Sequence, residues 1–460
     1  MVFSSLVFLC VFLPVVLFLY YSIQNNTWRN GLLIAASLLF YAYGEPRYIL
    51  LMLFSIFMNY GFGLLAASRY RKSAVWLAVA ANIGLLFVFK YLDMVILWIN
   101  AITGMGIPPA QIPLPIGISF FTFQALSYVI DVYRKEVKPQ HNLFYIMLYI
   151  SFFPQLIAGP IVKYHDIDRQ IVSRTIDAEE IALGFRRFIT GLAKKVLIAN
   201  TMAFACDQLM AAQPVGGLNM AGAWTLALTY LFQIYFDFSG YSDMAIGLGQ
   251  MFGFHFKENF NYPYISCSIQ EFWRRWHISL STWFKEYLYI PLGGNRKGKL
   301  RTSLNKLIVF MATGIWHGAN LTFLVWGLWH GLFIMLEQWV PLKRVPVVLR
   351  WLATMLIVIL GFVIFRADTL HQGIQIIQTM FTGFSAEPSQ VNLLHRIWTP
   401  VLVFAIFLAA VFSFPVVPAI KKLDIPCIQA GSFGLSIVML VLIMLNLAGG
   451  SYNPFIYFRF

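Results

Sequence analysis

The fold of this chain is restricted most strongly by a series of apolar segments that recurs along most of its 460 residues. A helix needs ~20 apolar residues to cross the hydrocarbon core of a bilayer. Only 11% of the residues are charged, whereas a soluble domain has roughly 25%. The pattern therefore predicts an all-α, multi-pass membrane protein. The expected spans are 3–23, 31–43, 48–67, 74–100, 113–130, 143–160, 217–238, 304–316, 320–340, 347–365, 398–415 and 428–448.

The charges beside these segments predict the orientation of the chain. The first segment follows no basic region and precedes no small-residue cleavage site, so we expect a retained span and not a signal peptide. Basic residues collect in cytoplasmic loops, and the clusters at 69–72 and 134–138 follow the third and fifth segments. We therefore expect the N-terminus outside. The net charge of +14 has the same explanation, so the expected partner is the lipid bilayer and not nucleic acid.

Proline and glycine interrupt several segments, as at 113–115, 153–154 and 158–160. Irregular backbone at membrane depth is tolerated only where protein buries it or a water-filled cavity borders it. We therefore expect re-entrant segments around a pore or funnel.

Two amphipathic helices are expected between the spans. The first starts near Asp177 and carries an apolar stripe to Val196, which is typical of a helix in the membrane interface. The second starts with a capping box of Ser268 and Glu271. Its apolar face is predicted to contain Phe272, Trp276, Leu280, Trp283 and Tyr287, and its polar face Arg274, His277, Ser281 and Lys285.

The second helix opens a basic region. Residues 270–306 contain eight Lys and Arg side chains and two carboxylates, which indicates the cytoplasmic side. Its long basic side chains either snorkel from an interfacial helix or form a landing site for a phosphate-bearing donor.

Ionisable side chains within apolar segments are the candidates for chemistry, because each costs ~2.5 kcal/mol or more near the bilayer centre. His317 lies in such a segment, and Gly318 and Ala319 beside it leave room for a substrate. A buried histidine is more often a hydrogen-bonded core residue. An imidazole can nevertheless take a hydroxyl proton and return it near neutral pH, so we expect His317 to act as a general base in acyl transfer.

Other polar residues are predicted to support His317. His330 follows thirteen residues later, about 220° around a continuous helix, so the two histidines do not pair unless the chain turns near Asn320. Asp237 and Asp243 bracket 239–242 and do not share a helix face; we expect them to fix structure by hydrogen bonds. Trp316 is expected to line a tunnel or support it.

No metal site is expected. No set of His, Cys or carboxylate side chains has a recognised ligand spacing. The four cysteines show no close pairing.

Several motifs resemble those of the membrane-bound O-acyltransferase family, and in particular its bacterial alginate O-acetyltransferase subgroup. They are FDFSGYSDMAIGLG, FWRRWHISLSTW, LGGNR, GIWHGAN and the terminal FIYFRF, together with MVFSS and the stretch 114–134. The resemblance implies one domain over 1–460 with a thin, funnel-shaped core. Core motifs would lie at 230–340 and an aromatic tail at 449–460.

The resemblance also implies roles for single residues. It makes His317 the active histidine, places His277 on the cytoplasmic approach to the tunnel, and makes Tyr457 the acyl carrier. Without the resemblance, the tail would be an interface anchor, or a plug that offers the Tyr457 phenol to the funnel.

The implied pathway begins with acetyl-CoA, or a carrier-protein thioester, on the cytoplasmic side of a bacterial inner membrane, with no bound cofactor. The basic region with Arg274 and Lys285 would attract either donor. A periplasmic SGNH-type acetyltransferase or a polysaccharide-modifying complex would then acetylate alginate, cellulose, peptidoglycan or another glycan.

Two other classes of function fit the same polar groups. Broken helices with polar residues at membrane depth are also typical of transporters, here for a polysaccharide or a lipid-linked sugar. A non-catalytic scaffold for a periplasmic acetyltransferase is the third alternative. A transporter predicts inverted repeats, and the sequence shows only a short GxWHG echo.

Overall fold

The computed structural model describes residues 1–340, 344–422, 426–450 and 452–454, without the side chains of Lys421 and 426–430. This part of the chain contains helices joined by loops and turns, and no strand. Among the described residues, five helical stretches are long and apolar enough to cross a membrane, or six if one bent helix pair is a single span. The prediction of an all-α, multi-pass membrane protein is confirmed.

The residues group into two compact units, of which the first contains Met1–Phe188 and Tyr241–Lys257. Asn25 caps its second helix by accepting hydrogen bonds from the backbone N–H groups of Thr27 and Trp28. Its helices are α1 (Leu13–Ser22), α2 (Asn26–Gly44), α3 (Ile49–Ala66), α4 (Arg71–Leu86), α5 (Leu92–Thr103), α6 (Ile118–Arg134), α7 (Leu143–Ser151), α8 (Phe153–Leu156) and α9 (Tyr164–Val172), followed by most of α10 (Ala178–Ala193).

The core of the first unit is aromatic and includes the buried guanidinium of Arg174. Phe3, Phe8, Phe40 and Phe153 pack with ring centroids 5.0 to 6.4 Å apart. Arg174 is buried, and it donates to the Tyr20 hydroxyl, the Asn30 side chain and two backbone carbonyls. These hydrogen bonds use the Nε and Nη1 donors of the guanidinium, which lowers the free-energy cost of burying its charge.

The second unit contains Ile189–Gly240 and Glu258–Phe460. Its core consists of apolar side chains from Ile198 onwards, including Phe272, Trp326 and Phe362. Its helices are α11 (Asn200–Ala212), most of α12 (Met220–Met251), α13 (Ile269–Arg275), α14 (Ile278–Phe284), α15 (Gly298–His317), α16 (Leu321–Leu336), α17 (Val347–Arg366), α18 (Leu370–Thr382), α19 (Pro388–Ile397), α20 (Pro400–Phe412), α21 (Val416–Lys421) and α22 (Pro426–Ala448). That the whole chain is one domain with a funnel-shaped core stays a prediction.

Most predicted spans have a matching helix, with two informative differences. The helix expected at the interface from Asp177 to Val196 is part of the apolar helical stretch Ala178–Val215. In the most apolar 18 residues of that stretch, 72% of the residues are buried. The span expected at 113–130 starts only at Ile118, after an irregular segment. The prolines at 113–115 explain this delay, because they remove backbone donors.

Candidate active site

His317 is the last residue of α15, and the chain turns sharply after it. Gly318 adopts an extended conformation, and Asn320 then caps α16 by accepting a hydrogen bond from Thr322 N–H at 3.1 Å. Asn320 also donates to the Asp368 carbonyl at 2.8 Å. The structure thus places Asn320 as a cap and tether that folds α16 back along α15.

Small residues let α15 and α16 approach closely. A Cβ at Gly314 would overlap the Phe323 carbonyl oxygen, and one at Gly327 would overlap the Phe310 carbonyl oxygen. Backbones in direct contact are typical of small-residue helix pairs in membranes. The glycines of the GIWHG and GLWHG motifs therefore set the spacing of the two helices that carry His317 and His330.

Three aromatic rings enclose the His317 imidazole. The ring centroids of Trp316, Trp326 and Phe365 lie 4.9, 5.1 and 5.2 Å from its own, all edge-to-face. The residue keeps 8% of its surface exposed. His317 is thus held in a low-dielectric aromatic setting in which a small part of the residue remains accessible.

His330 lies on the other side of Trp326. The Trp326 ring contacts both histidines, with centroid distances of 5.1 Å to His317 and 5.2 Å to His330. The predicted angle of about 220° between the two histidines does not apply, because the helix is interrupted at Gly318. His330 is 0% exposed, and neither of its ring nitrogens has a hydrogen-bond partner among the described residues.

The prediction of one continuous amphipathic helix around His277 is wrong. The chain leaves the helix at Trp276, and His277 has a positive φ of 42° before α14 begins. The N–H groups of Ile278 and Ser279 donate to the backbone and side-chain oxygens of Asn259 and not to helical carbonyls. His277 therefore does not share a solvent face with Arg274 and Lys285, which are both exposed.

His277 is instead buried among aromatic rings. It is 1% exposed, and its ring centroid lies 4.6 Å from that of Phe238 and 6.3 Å from that of Trp316. Burial lowers the pKa of His277 to about 3, so the imidazole is neutral near pH 7. Trp316 contacts the rings of both His277 and His317, which links two histidines forty residues apart in sequence.

The two candidate carboxylates of α12 have separate basic partners. Asp237 forms a buried ion pair with Lys195 at 2.8 Å, and Lys195 also donates to the Pro454 carbonyl. Asp243 pairs with Arg187 at 2.9 Å in a more exposed setting. A buried pair of this kind is costly to break, so the geometry fits a structural function for Asp237.

Tyr457 lies outside the described residues, but the tail before it is described. The Asn453 side chain accepts from Asn200 at 3.1 Å, and the Tyr452 hydroxyl donates to Asp207. Asp207 also pairs with Arg366 at 2.6 Å. Several polar groups of the second unit therefore hold the tail immediately before 455–460.

Sequence reasoning missed Asn259, Trp326 and Phe365. Asn259 is buried in the loop between α12 and α13 and contacts His277 through its side-chain oxygen, 3.2 Å from Nδ1. The asparagines and proline of ENFNYP at 258–263 are typical of a structured turn. They give no indication of which histidine the turn contacts.

Apolar helices and buried histidines among aromatic rings define a multi-pass, all-α membrane protein with a candidate catalytic centre. The model of the MBOAT family, the membrane-bound O-acyltransferases, matches residues 38–367. The chain belongs to this family and is an O-acyltransferase. The matched region includes His277, His317 and His330.

Individual relatives are similar over most of the chain. A probable alginate O-acetylase of Pseudomonas putida is 41% identical, with 100% of both chains covered. One of Pseudomonas aeruginosa is 44% identical over 85% of this chain and 77% of the relative. A peptidoglycan O-acetyltransferase of Helicobacter pylori is 37% identical over 83% of this chain and 80% of the relative.

Proposed function

We propose that this protein moves an acetyl group across the bacterial inner membrane for O-acetylation of an exported polysaccharide. The names of the relatives, alginate O-acetylase and peptidoglycan O-acetyltransferase, support a glycan as the final acceptor. The observation that carries the proposal is His317, an imidazole at a helix end that is enclosed by aromatic rings and 8% exposed.

In this proposal His317 is the general base. It takes the proton of the acceptor hydroxyl while that oxygen attacks the carbonyl carbon of the acetyl thioester. The tetrahedral intermediate then breaks its C–S bond, and the departing thiolate receives the proton from the imidazolium. A positioned base of this kind contributes ~10² to 10⁴-fold to such a reaction, and the low-dielectric aromatic setting strengthens its interaction with developing charge.

The donor is acetyl-CoA, or a thioester on an acidic carrier protein, at the cytoplasmic face. Arg274 and Lys285 are exposed within a region of eight basic and two acidic residues from 270 to 306. This charge would attract the phosphates of CoA or an acidic carrier surface. In this proposal the N-terminus of the chain lies on the outer side of the membrane. The transfer reaction needs no bound cofactor.

The tail supplies the acyl carrier in this scheme. Tyr457 would take the acetyl group on its phenol, and a periplasmic SGNH-type acetyltransferase or polysaccharide-modifying complex would pass it to the sugar. The contacts of Tyr452, Asn453 and Pro454 to Asp207, Asn200 and Lys195 support this idea, because they tether the tail three residues before the tyrosine.

The test is acetyl transfer from labelled acetyl-CoA by membranes that contain either the wild-type protein or His317→Ala. We expect at least a ~10²-fold loss with normal expression, because the base is removed. His371→Ala is the matched control, since His371 is exposed on α18, and it should keep the wild-type rate. Normal transfer by His317→Ala would favour a scaffold, and no acetyl transfer by the wild type would favour a transporter.

The carrier step has its own test. Tyr457→Phe removes one hydroxyl, so we expect normal expression and thermal stability with loss of glycan acetylation in cells. Retained acetylation would show that the tail serves only as an anchor.

A further inference from the structure

Asn259 holds the segment around His277 from one side. Its backbone carbonyl accepts from Ile278 N–H at 2.9 Å, and its side-chain Oδ1 accepts from Ser279 N–H at 3.1 Å and from Ser279 Oγ at 2.9 Å. Asn261 N–H donates to the Arg275 carbonyl at 2.9 Å. The loop therefore fixes the backbone on both sides of His277, which is needed because a positive φ is unfavourable for a residue other than glycine.

These contacts determine which ring nitrogen of His277 carries the hydrogen. Amide oxygen and nitrogen atoms have nearly the same shape and are assigned from their hydrogen bonds. A backbone N–H can only donate, so the amide atom that faces Ser279 N–H is the oxygen. The same oxygen lies 3.2 Å from His277 Nδ1. Nδ1 must therefore donate, and in the neutral imidazole Nε2 carries the lone pair.

The second nitrogen points into a buried region. His277 Nε2 has no hydrogen-bond partner in the part of the chain that the structure describes. Its ring is covered by Phe238, Phe260 and Trp316, and Trp316 also contacts His317. An unpartnered buried acceptor is costly, and such a group in a native structure is explained by a functional role or a further ligand.

We propose that Asn259 is a positioning residue that fixes His277 as the Nδ1–H tautomer. In this form Nε2 is a hydrogen-bond acceptor for an O–H or N–H group of the acyl-transfer substrates. The function of Nε2 rests on the proposed acetyl transfer, whereas the tautomer itself does not. The same logic applies to metal-bound and catalytic histidines, whose reactive nitrogen is set by the bond of the other one.

The tautomer is measured directly by nitrogen NMR of purified protein with ¹⁵N-labelled histidine near pH 7. The signals of His277 are identified by their loss in His277→Gln. We expect a protonated Nδ1 and an unprotonated Nε2. In Asn259→Ala the preference should disappear, and in Asn259→Asp it should remain, because a carboxylate oxygen still accepts from Nδ1–H. A wild-type signal with protonated Nε2, or an unchanged signal in Asn259→Ala, would overturn the assignment.

The functional part is tested by acetyl transfer in the same variants. We expect Asn259→Ala to lose at least ~10-fold in rate, since a base or acceptor in the wrong tautomer contributes little. Asn259→Asp should recover part of the rate with a pH profile moved to higher pH, because an adjacent carboxylate raises a histidine pKa. A purely structural substitution would not move the pH profile.

The matched control is Asn261→Ala, two residues away in the same loop. The Asn261 side chain is exposed, and the hydrogen bonds described for this residue use its backbone, so the rate should equal that of the wild type. If the wild type shows no acetyl transfer, the proposed function fails while the NMR result still decides the tautomer. If the wild type transfers acetyl and Asn259→Ala does so equally fast, Nε2 has no function in the reaction.

Discussion

The helix pair α3–α4 and the segment from α13 to α16 both bury polar side chains, but they do so differently. In α3–α4, Asn59 and Asn82 are fully buried and exchange hydrogen bonds at 3.2 and 2.8 Å. Each amide also donates to a carbonyl of its own helix, that of Ser55 or Ala78. The two side chains satisfy each other.

The segment from α13 to α16 leaves polar atoms unsatisfied. Among the described residues, His277 Nε2, both ring nitrogens of His330 and the indole nitrogens of Trp273 and Trp326 are buried without a hydrogen-bond partner. The rings of Trp273, Trp326 and His330 contact one another at 5.2 to 5.6 Å. Trp326 also contacts the His317 ring, with a centroid distance of 5.1 Å.

The two regions differ in whether their buried polar side chains satisfy each other. Leaving a buried donor or acceptor unsatisfied costs ~1–3 kcal/mol. Mutual hydrogen bonds, such as those between Asn59 and Asn82, avoid this cost in a helix pair whose contribution is packing alone. Unsatisfied donors and acceptors beside a candidate base can form hydrogen bonds to substrate groups or ordered water.

The largest expected effect concerns His330. His330→Phe keeps a flat ring against Phe272 and Trp273 but removes both nitrogens. We expect acetyl transfer to fall ~10²-fold, in the range of a lost acid–base or hydrogen-bonding group, while the thermal midpoint in detergent does not fall. An unchanged rate would make His330 a packing residue and would weaken the contrast with Asn59.

The second test removes one member of the hydrogen-bonded pair of Asn59 and Asn82. Asn59→Leu leaves the buried Asn82 amide without its partner, so we expect a loss of ~1–3 kcal/mol in stability with the rate per folded molecule unchanged. The matched variant Asn59→Leu with Asn82→Leu replaces both polar groups and should recover most of that stability. Both quantities can be measured by thermal unfolding and acetyl transfer on the same samples. A rate loss in the single variant would contradict a purely structural pair.

The smallest effect is the pH dependence of stability that His277 causes. Its pKa is about 3 in the folded protein and about 6.5 when unfolded, so the unfolded state binds a proton that the folded state does not. Stability is therefore full above pH 6.5 and falls toward pH 3, by about 1 kcal/mol per pH unit. Thermal unfolding at pH 5 and pH 7.5 measures the change. His277→Gln should lose this part of the pH dependence, and an identical slope in that variant would contradict a buried, neutral imidazole.

Much of the fold follows from local sequence, because its cause is local. A long apolar segment has to satisfy its own backbone hydrogen bonds in lipid, so spans such as Ile49–Ala66 and Val347–Arg366 can be predicted directly from hydropathy. The caps Asn320 and Ser268 are equally local. The prediction failed at Trp276 and His277, where the periodicity favours one continuous helix. The N–H groups of Ile278 and Ser279 bond instead to Asn259 in the preceding loop.

The sequence by itself determined that this is a membrane protein and which motif carries His317. Composition, the length of the apolar segments and the small residues beside His317 are all properties of neighbouring positions in the chain. Only the tertiary structure decided that Trp316 joins His277 to His317, that Trp326 joins His317 to His330, and that Asn259 holds His277. Such contacts depend on where a helix breaks and which backbone groups pair across distant segments. Those choices are set by competition among hydrogen bonds in three dimensions, which a linear pattern does not contain.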